Sequence, residues 1–284
     1  MKPARTLILF FSLLAALTGC ASSDAEPRRA AESDRRPAAV PEPVRNPARL
    51  VHIVVALCDN KYQGIAPTPD GIANGDDPAS NLYWGAGYGV KTFFRKSKDW
   101  SLVADVRNPR AAVLERSVYQ HKKTGVYLIA DAYRGREIEQ SIFDFLNFAA
   151  GNDVETIEVS NGAERQRLHV GGASDLIVYI GHDGLMDFSL AKYPQAADDR
   201  KREAIILSCL SKNFFEQPLR RAGAEPLLWT KDLMAPEAYT LKAALDGWML
   251  NEDREQIRQR AAEAYQKYQK CSMRAALNTF ATGW

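Results

Sequence analysis

Two apolar runs, each followed at once by a reactive side chain, constrain the fold of this chain more than any other feature. The run Leu176–Ile180 leads into Gly-His-Asp-Gly, with the histidine at His182, and the run Ala204–Leu207 leads into Ser-Cys, with the thiol at Cys209. Such runs are typical of central strands in a parallel sheet that is covered on both faces. Because ligands bind beyond the carboxyl ends of strands in open α/β sheets, adjacent strands would place the imidazole and the thiol at one edge. This arrangement predicts an α/β protein with the groups that a cysteine hydrolase needs.

Further patterns predict the elements around these two strands. Apolar or β-branched runs indicate strands over Val51–Leu57, Ser101–Val106, Ala112–Gln120, Gly125–Asp131 and Leu227–Thr230, with a hairpin turn at Lys123–Gly125. Helical spacing indicates helices late in Leu82–Phe94 and over Arg136–Ala150, Asn213–Arg221, Pro236–Leu250 and Glu252–Lys270, with Pro236 at a first helical position. A strand–helix–strand crossover ends at Ile180. The long polar stretch over 59–81 is expected to be a functional loop.

The N-terminus has the pattern of a secretion signal. Lys2 and Arg5 precede an apolar stretch, Leu7–Leu17, that is too short for a stable transmembrane span. The ending Leu-Thr-Gly-Cys at 17–20 resembles the lipobox of bacterial lipoproteins, which implies cleavage before Cys20 and acylation of that residue. Because Ala21 rather than an aspartate follows, we expect attachment to the outer membrane facing the periplasm, with a surface-exposed position and an ordinary signal peptide as alternatives.

Composition separates a tether from a folded domain. Residues from Ala21 to about Ala48 are mostly Ala, Pro, Arg, Glu and Asp, and they hold too little apolar surface to fold. We therefore expect a signal peptide over 1–19, a lipidated cysteine and disordered tether over 20–49, and one α/β domain over 50–284. Basic and acidic residues nearly balance, 37 against 35, and no basic stripe is interleaved with aromatics. Nucleic acid is therefore not an expected partner.

The order of residues in the folded part resembles the caspase-like peptidases, the group of caspases, metacaspases, legumains and gingipains. In that group a His-Gly follows one core strand and a cysteine follows the next, as His182 and Cys209 do here. Upstream, Val-Val-Ala-Leu at 54–57 with Asn60 and Tyr62, then Asn-Gly-Asp-Asp at 74–77, resemble the opening of metacaspase domains. The likeness extends from Leu50 to Leu219. It implies a three-layer α/β/α sandwich with a mostly parallel central sheet, and a Cys/His catalytic dyad.

One position departs from the pattern of that group. Asp183 stands between His182 and Gly184, whereas the family's glycine directly follows the histidine. The backbone N–H of Asp183 or Gly184, together with that of Cys209, would then stabilise the oxyanion of a tetrahedral intermediate.

The chemistry of the dyad also follows from the residues themselves. A cysteine is a nucleophile only as the thiolate, and a neighbouring imidazole can take its proton and later protonate the leaving group. The alternative for Cys209 is an inert buried thiol, since free cysteine is among the most buried residue types. The alternative for His182 is a structural histidine held by Asp183 or Asp187 in a polar loop.

Other polar residues carry weaker hypotheses. One of Asp59, Asp76 and Asp77 could accept a basic substrate side chain, although solvated loop carboxylates are the simpler interpretation. His52, His121 and His169 are interpreted as structural or surface residues. The His and Cys spacings match no zinc site, so we expect no metal and no cofactor.

Three cysteines remain once Cys20 is lipidated, an odd number in a compartment that can be oxidising. Cys58 and Cys271 could form a disulfide that leaves Cys209 free, or they could be two buried thiols.

Together these observations predict a lipid-anchored cell-envelope cysteine hydrolase that acts on peptide or protein substrates. The competing hypothesis is a binding or scaffold lipoprotein that keeps the fold without the reaction. It would hold a partner with the aromatic and acidic loop from Asp59 to Tyr88.

Overall fold

A large, mostly parallel sheet runs through the chain and is flanked by helices. This computed structural model describes residues 46–64, 67–161 and 164–284, so the predicted signal peptide, Cys20 and the tether up to residue 45 lie outside the described residues. The main sheet has eight strands: β1 (Leu50–Ala56), β2 (Trp100–Arg110), β3 (Val113–His121), β4 (Tyr127–Tyr133), β7 (Leu176–Ile180), β8 (Glu203–Leu207), β9 (Glu225–Thr230) and β10 (Phe280–Ala281). A separate antiparallel ribbon consists of β5 (Val154–Asn161) and β6 (Glu164–Gly171).

Six α-helices accompany these strands in the described part of the chain. They are α1 (Val90–Lys96), α2 (Ile138–Ala149), α3 (Ser211–Ala222), α4 (Ala238–Met249), α5 (Arg254–Gln269) and α6 (Met273–Thr279). Among the described residues, no helix has the length and apolar content needed to cross a membrane.

The strand order places a topological switch point in the middle of the main sheet. The order is β10-β9-β8-β7-β1-β4-β3-β2. The five adjacent strands from β9 to β4 in this order all run parallel to one another. From β1 the chain goes to β2 at one edge of the sheet, returns through β3 to β4 beside β1, and later adds β7 on the other side of β1. Ligand sites in open α/β sheets lie beyond the carboxyl ends of the strands at such a reversal. The loops after β1 and β7 therefore form the expected crevice.

Both faces of the sheet are covered, which explains why its strands have continuous apolar runs. Every residue of β1, β4 and β7 is buried. One face packs against α2 and α3 through Phe145 and Phe215, whereas the other packs against α1, α4 and α5 through Phe94, Leu245 and Ile257. The predicted α/β fold with a mostly parallel central sheet flanked by helices is confirmed.

Three local predictions were incomplete or wrong. The crossover that ends at Ile180 also contains the β5–β6 ribbon, which the sequence did not indicate, and α6 and β10 were missed. Pro236 is not the first helical residue, because α4 begins at Ala238 after the N-cap Glu237. The Ala238 N–H donates to the Tyr88 carbonyl at 2.9 Å. The first residue of α4 is therefore bonded to a loop that is far away in the sequence.

A buried ionic network joins three strands of the sheet to the ribbon. Arg116 on β3 donates from Nε and Nη2 to the two carboxylate oxygens of Asp131 on β4, at 2.6 and 2.8 Å. Its Nη1 also donates to Glu155 on β5 at 2.8 Å. The Nδ1 of His52 accepts from the Gly171 N–H at 2.9 Å, so Nε2 carries the proton and donates to Asp131 at 3.2 Å. His52 is thus a buried structural histidine.

The network offsets the cost of burying Asp131. Burial alone would raise the pKa of this carboxyl, but hydrogen bonds from Arg116 and His52, together with the charge of Arg116, outweigh it and lower the pKa. The carboxylate therefore contributes stability above the unfolded-state pKa, and this contribution is lost as the pH falls through the lower folded-state value.

Removing one partner of the network should be costly. We expect Asp131→Ala to lower the free energy of unfolding by about 3–5 kcal/mol at neutral pH, because it removes the buried partner of Arg116 and leaves that charge with only the partly exposed Glu155. Urea denaturation followed by circular dichroism measures this loss. The matched control is Glu158→Ala, which removes an exposed partner of Arg167 and should cost less than about 1 kcal/mol. Equal losses in the two variants would contradict this account of the network.

Candidate active site

A cavity of about 450 Å³ opens at the carboxyl edge of the sheet, and both His182 and Cys209 line it. Its walls come from segments that follow β1, β7, β8 and β9. Apart from the dyad residues, the lining is mostly apolar: Gly64, Thr68, Leu82, Tyr83, Gly181, Met186, Leu233, Met234, Ala235, Pro236 and Glu237. The structure thus brings together the two side chains that the sequence singled out.

Strand pairing places His182 and Cys209 at equivalent positions just beyond the carboxyl edge of the sheet. Ile180, the last residue of β7, pairs with Leu207, the last residue of β8. His182 and Cys209 each come second after that paired end. Since β7 and β8 are parallel neighbours, both side chains start from adjacent positions at one edge.

A glycine allows the chain to leave β7 in the direction that the site requires. Gly181 has φ of 152°, and a Cβ at this position would lie 2.9 Å from the Cβ and the carbonyl oxygen of Ala56 on β1. A larger residue would therefore clash with the neighbouring strand. The Gly181 N–H donates to the Leu207 carbonyl at 3.3 Å, and the Tyr179 hydroxyl donates to the His182 carbonyl at 2.8 Å. These contacts hold the backbone on both sides of the histidine.

Asp187 holds the ring of His182. The Nε2 of His182 lies 2.6 Å from the Oδ2 of Asp187, and only 11% of the histidine side chain is exposed. A carboxylate only accepts hydrogen bonds, so Nε2 carries the proton, and Nδ1 of the neutral ring keeps its lone pair. Of the two partners that the sequence left open, the structure selects Asp187. The free lone pair on Nδ1 is the feature that a general base at this position would use.

Cys209 lies on a tight turn between β8 and α3. The next residue, Leu210, has φ of 51°, a left-handed conformation that is strained for a branched side chain. The turn is held by the Leu210 N–H, which donates to the Asp232 carbonyl at 3.1 Å. Two further hydrogen bonds brace it, from the Thr230 hydroxyl to the Ser208 carbonyl and from the Ser211 N–H to the Thr230 hydroxyl. Backbone strain of this kind clusters at functional sites.

In the resting structure the thiol contacts Met234. The Met234 N–H donates to the Cys209 Sγ at 3.4 Å, and the Sγ lies 3.6 Å from the Met234 carbonyl oxygen. Burial raises the pKa of the Cys209 thiol, with the Met234 N–H acting in the opposite direction. Among the described residues, no hydrogen bond joins this thiol to the His182 ring. The resting thiol is therefore protonated at neutral pH.

Two of the three N–H groups predicted for an oxyanion hole remain available. The Gly184 N–H donates to the His182 carbonyl at 3.1 Å, so the expectation for Gly184 is corrected. In the described part of the chain, the N–H groups of Asp183 and Cys209 have no acceptor. These two donors flank the dyad and are the candidates for stabilising a developing oxyanion.

The carboxyl group of Asp183 is buried beside the dyad. Its Oδ1 accepts from the Leu185 N–H at 3.1 Å, while Oδ2 has no hydrogen-bond partner among the described residues. Burial raises the pKa of Asp183 to about 7, and the Asp187 charge adds to that increase, whereas the Leu185 N–H opposes it. The side chain is therefore near half-protonation at neutral pH.

The three aspartates proposed for substrate binding do not line this cavity. Asp59 is buried and accepts from the N–H groups of Lys61 and Tyr62 at 2.8 and 3.2 Å. Asp77 accepts from the Ser80 hydroxyl at 2.6 Å. Asp76 pairs with Arg134 at 2.8 Å and with Arg136 at 3.3 Å. Asp59 and Asp76 instead line a separate cavity, of about 520 Å³, so a substrate-binding role for one of the three stays a prediction.

The carboxylate that does line the cavity, Glu237, was missed. It is the N-cap of α4 and follows an apolar segment. No sequence signal separated it from an ordinary helix start.

The proposed disulfide is absent from the described structure. Cys58, Cys209 and Cys271 are all free, so the alternative of two buried thiols holds for Cys58 and only in part for Cys271. Cys58 is buried just beyond the end of β1, beside Tyr83, and burial raises the pKa of its thiol. Cys271 is only partly buried and lies between α5 and α6. Among the described residues, no cluster of three or more His, Cys, Asp or Glu is placed to hold a metal ion.

Comparisons with protein-family models, with curated proteins and with solved structures found no match to this chain. The chemistry of the site must therefore be inferred from its own side chains.

The titration of Asp183 should appear in the stability of the protein. Because its folded-state pKa lies near 7 and its unfolded-state value near 3.9, stability should fall as the pH rises between these values. We expect Asp183→Asn to be more stable than the wild type at pH 8, by at most about 4 kcal/mol. The advantage should disappear near pH 4, where both forms of the side chain are neutral in the folded protein. Urea denaturation at the two pH values tests this, and a pH-independent difference would contradict it.

The resting thiol should react slowly with a small alkylating agent. We expect iodoacetamide labelling of Cys209, measured in a Cys58→Ala/Cys271→Ala background, to reach half its maximal rate above the ordinary thiol pKa of about 8.5. The reason is that burial raises the pKa of the thiol, and only the thiolate reacts. Mass spectrometry of the labelled peptide gives the rates, with Cys209→Ser as the blank. A midpoint below 8.5 would show that the thiol is already activated at rest.

Proposed function

We propose that the folded domain is a cysteine hydrolase of the peptidase type, with Cys209 as nucleophile and His182 as general base and acid. One observation carries the proposal. His182 and Cys209 follow neighbouring parallel strands into one cavity, and Asp187 holds the Nε2 of His182 at 2.6 Å. Such an arrangement of nucleophile, base and orienting carboxylate supports acyl transfer.

Each residue has a definite part in the proposed reaction. The Nδ1 of His182 takes the thiol proton, and the Cys209 Sγ attacks the substrate carbonyl carbon. The N–H groups of Asp183 and Cys209 donate to the resulting oxyanion. The imidazolium then protonates the leaving amine as the C–N bond breaks, which leaves a thioester. Water, deprotonated by His182, hydrolyses the thioester and restores the free thiol.

Asp187 acts as a positioning residue in this scheme. Its carboxylate fixes the tautomer with the proton on Nε2, and it stabilises the imidazolium that forms when Nδ1 takes the thiol proton.

The thiol must leave Met234 before it can react. Its contacts with the Met234 backbone and its raised pKa describe a resting state in which little thiolate is present. We propose that a bound substrate occupies the cavity, displaces this contact and lets His182 deprotonate Cys209. Catalytic hydrogen bonds are often longer or absent in unliganded sites.

The caspase-like architecture belongs to the same proposal. The resemblance implies a histidine after one core strand and a cysteine after the next, and β7 and β8 supply those two strands as parallel neighbours. A three-layer sandwich of this family agrees with helices on both faces of the sheet.

The cell-envelope location is proposed from the sequence alone. The Leu-Thr-Gly-Cys ending and the Pro- and Ala-rich segment after it support acylation of Cys20 and a tether to the membrane. On this proposal the hydrolase acts on peptides or proteins within the reach of the tether, and the membrane is engaged only through Cys20.

A scaffold lipoprotein without catalysis is the second candidate. The observation that favours it is the same resting thiol, since a partly buried, protonated cysteine bound to a backbone amide is also typical of an inert residue. The two candidates differ in whether His182 accelerates a reaction at Cys209.

A peptide-based electrophile separates the two. We expect a peptidyl acyloxymethyl ketone to label Cys209 of the full-length protein faster than iodoacetamide does. His182→Ala should slow that labelling by about a hundredfold or more, and Asp187→Asn by about tenfold or more, because they remove the base and its orientation.

Matched controls guard against indirect effects. His169→Gln changes a histidine that bonds Thr156 on the ribbon, and Cys271→Ser removes a thiol that does not line the cavity. Neither variant should alter the rate. Two results would favour the scaffold function over the hydrolase. One is that the peptide electrophile labels Cys209 no faster than iodoacetamide does, and the other is that His182→Ala leaves the labelling rate unchanged.

A further inference from the structure

The mouth of the cavity carries apolar side chains that the described fold leaves uncovered. Leu233 is 66% exposed and Met186 is 39% exposed, and both line the cavity that holds the dyad. Scattered exposed apolar residues are ordinary on a protein surface, but those that converge on a concave site mark ligand contact.

Each of these two residues directly precedes a residue that contacts one member of the dyad. Met186 directly precedes Asp187, the residue that holds His182. Leu233 directly precedes Met234, whose backbone contacts the Cys209 thiol. A substrate side chain in contact with Met186 and Leu233 would therefore lie close to the bond under attack.

The walls continue the apolar surface inward. Leu82, Met234, Ala235 and Pro236 line the cavity. Tyr83 adds an aromatic ring, and burial raises the pKa of its hydroxyl well above its ordinary value, so it presents no charge. A methylene-rich side chain would find hydrophobic contact along these walls.

Charged substrate side chains find little in this cavity that recognises them. No lysine or arginine is among the described residues that line it, so an acidic side chain lacks a cationic partner. The single lining carboxylate, Glu237, already accepts through Oε2 from the Tyr239 hydroxyl at 2.8 Å and from the Gln269 amide at 3.2 Å. Burial also raises the pKa of Glu237, which weakens it as a partner for a basic side chain.

We infer that the cavity selects a large apolar side chain, such as that of leucine or phenylalanine, at the residue whose carbonyl Cys209 attacks, with Met186 and Leu233 as the specificity-determining contacts. This inference rests on the proposed hydrolase function and names the substrate class for it.

A matched series of peptidyl acyloxymethyl ketones tests the inference. The probes share one peptide and differ only in the reacting residue, which is Leu, Phe, Arg or Asp, and the readout is the second-order rate of Cys209 labelling in the full-length protein. We expect the Leu or Phe probe to react at least about tenfold faster than the Arg and Asp probes. Leu233→Ser and Met186→Ser should each reduce that preference severalfold.

Two controls show that the loss of preference is local. Leu250→Ser changes an apolar side chain that is 63% exposed but does not line the cavity, and it should leave the preference for the Leu and Phe probes unchanged. Glu237→Gln should leave the preference for apolar probes intact. If Glu237 instead selects a basic side chain, the Arg probe will be fastest and this variant will slow it.

The outcomes distinguish the inference from the function on which it rests. If labelling depends on His182 but is fastest with the Arg or Asp probe, the apolar preference is wrong and the proposed hydrolase function is retained. If no peptide probe labels Cys209 faster than iodoacetamide does, both the proposed hydrolase function and the apolar preference are wrong.

Discussion

The parallel pairing of β7 with both β1 and β8 is the constraint on which the rest of the structure depends. Val178 pairs with Ile53 on one side and with Ile205 on the other, so β7 lies fully buried at the centre of the sheet. This register brings the ends of three strands to one edge, next to the point where strand order reverses. The left-handed turn at Leu210 and the glycine at Gly181 then direct the thiol and the imidazole into the same cavity.

On the proposed function, the site combines a positioned base with a nucleophile that is inactive at rest. Asp187 keeps the imidazole of His182 in one tautomer, whereas burial keeps the Cys209 thiol protonated against the Met234 backbone. A protonated thiol resists alkylation and oxidation, since both depend on the thiolate. In the proposed account, occupation of the apolar cavity by a peptide activates the dyad, so reactivity and specificity depend on the same residues around Met186 and Leu233.

The sequence predicted the parts of the molecule that bury continuous apolar runs. β1, β3, β4, β7 and β8 follow from such runs, and His182 and Cys209 from their position just after two of them. The ribbon of β5 and β6 was missed because its charged residues gain their partners only in three dimensions, as Glu155 does from Arg116. The start of α4 was wrong for the same reason: it is accompanied by a contact with the Tyr88 carbonyl that no local pattern contains. Asp187 could be named from the sequence as a partner of His182 because the two are close along the chain, whereas no sequence pattern connected Glu237 with the site.

Acylation of Cys209 during turnover is the most direct test of the central claim. Rapid mixing of the full-length protein with a peptidyl ester carrying a leucine at the acyl position, followed by intact-mass spectrometry, measures the covalent intermediate. The account predicts a burst of about one acyl group per chain on Cys209 that forms faster than it hydrolyses, and its loss in His182→Ala. Absence of the acyl group from Cys209, or its equal formation without His182, would contradict a Cys209–His182 dyad.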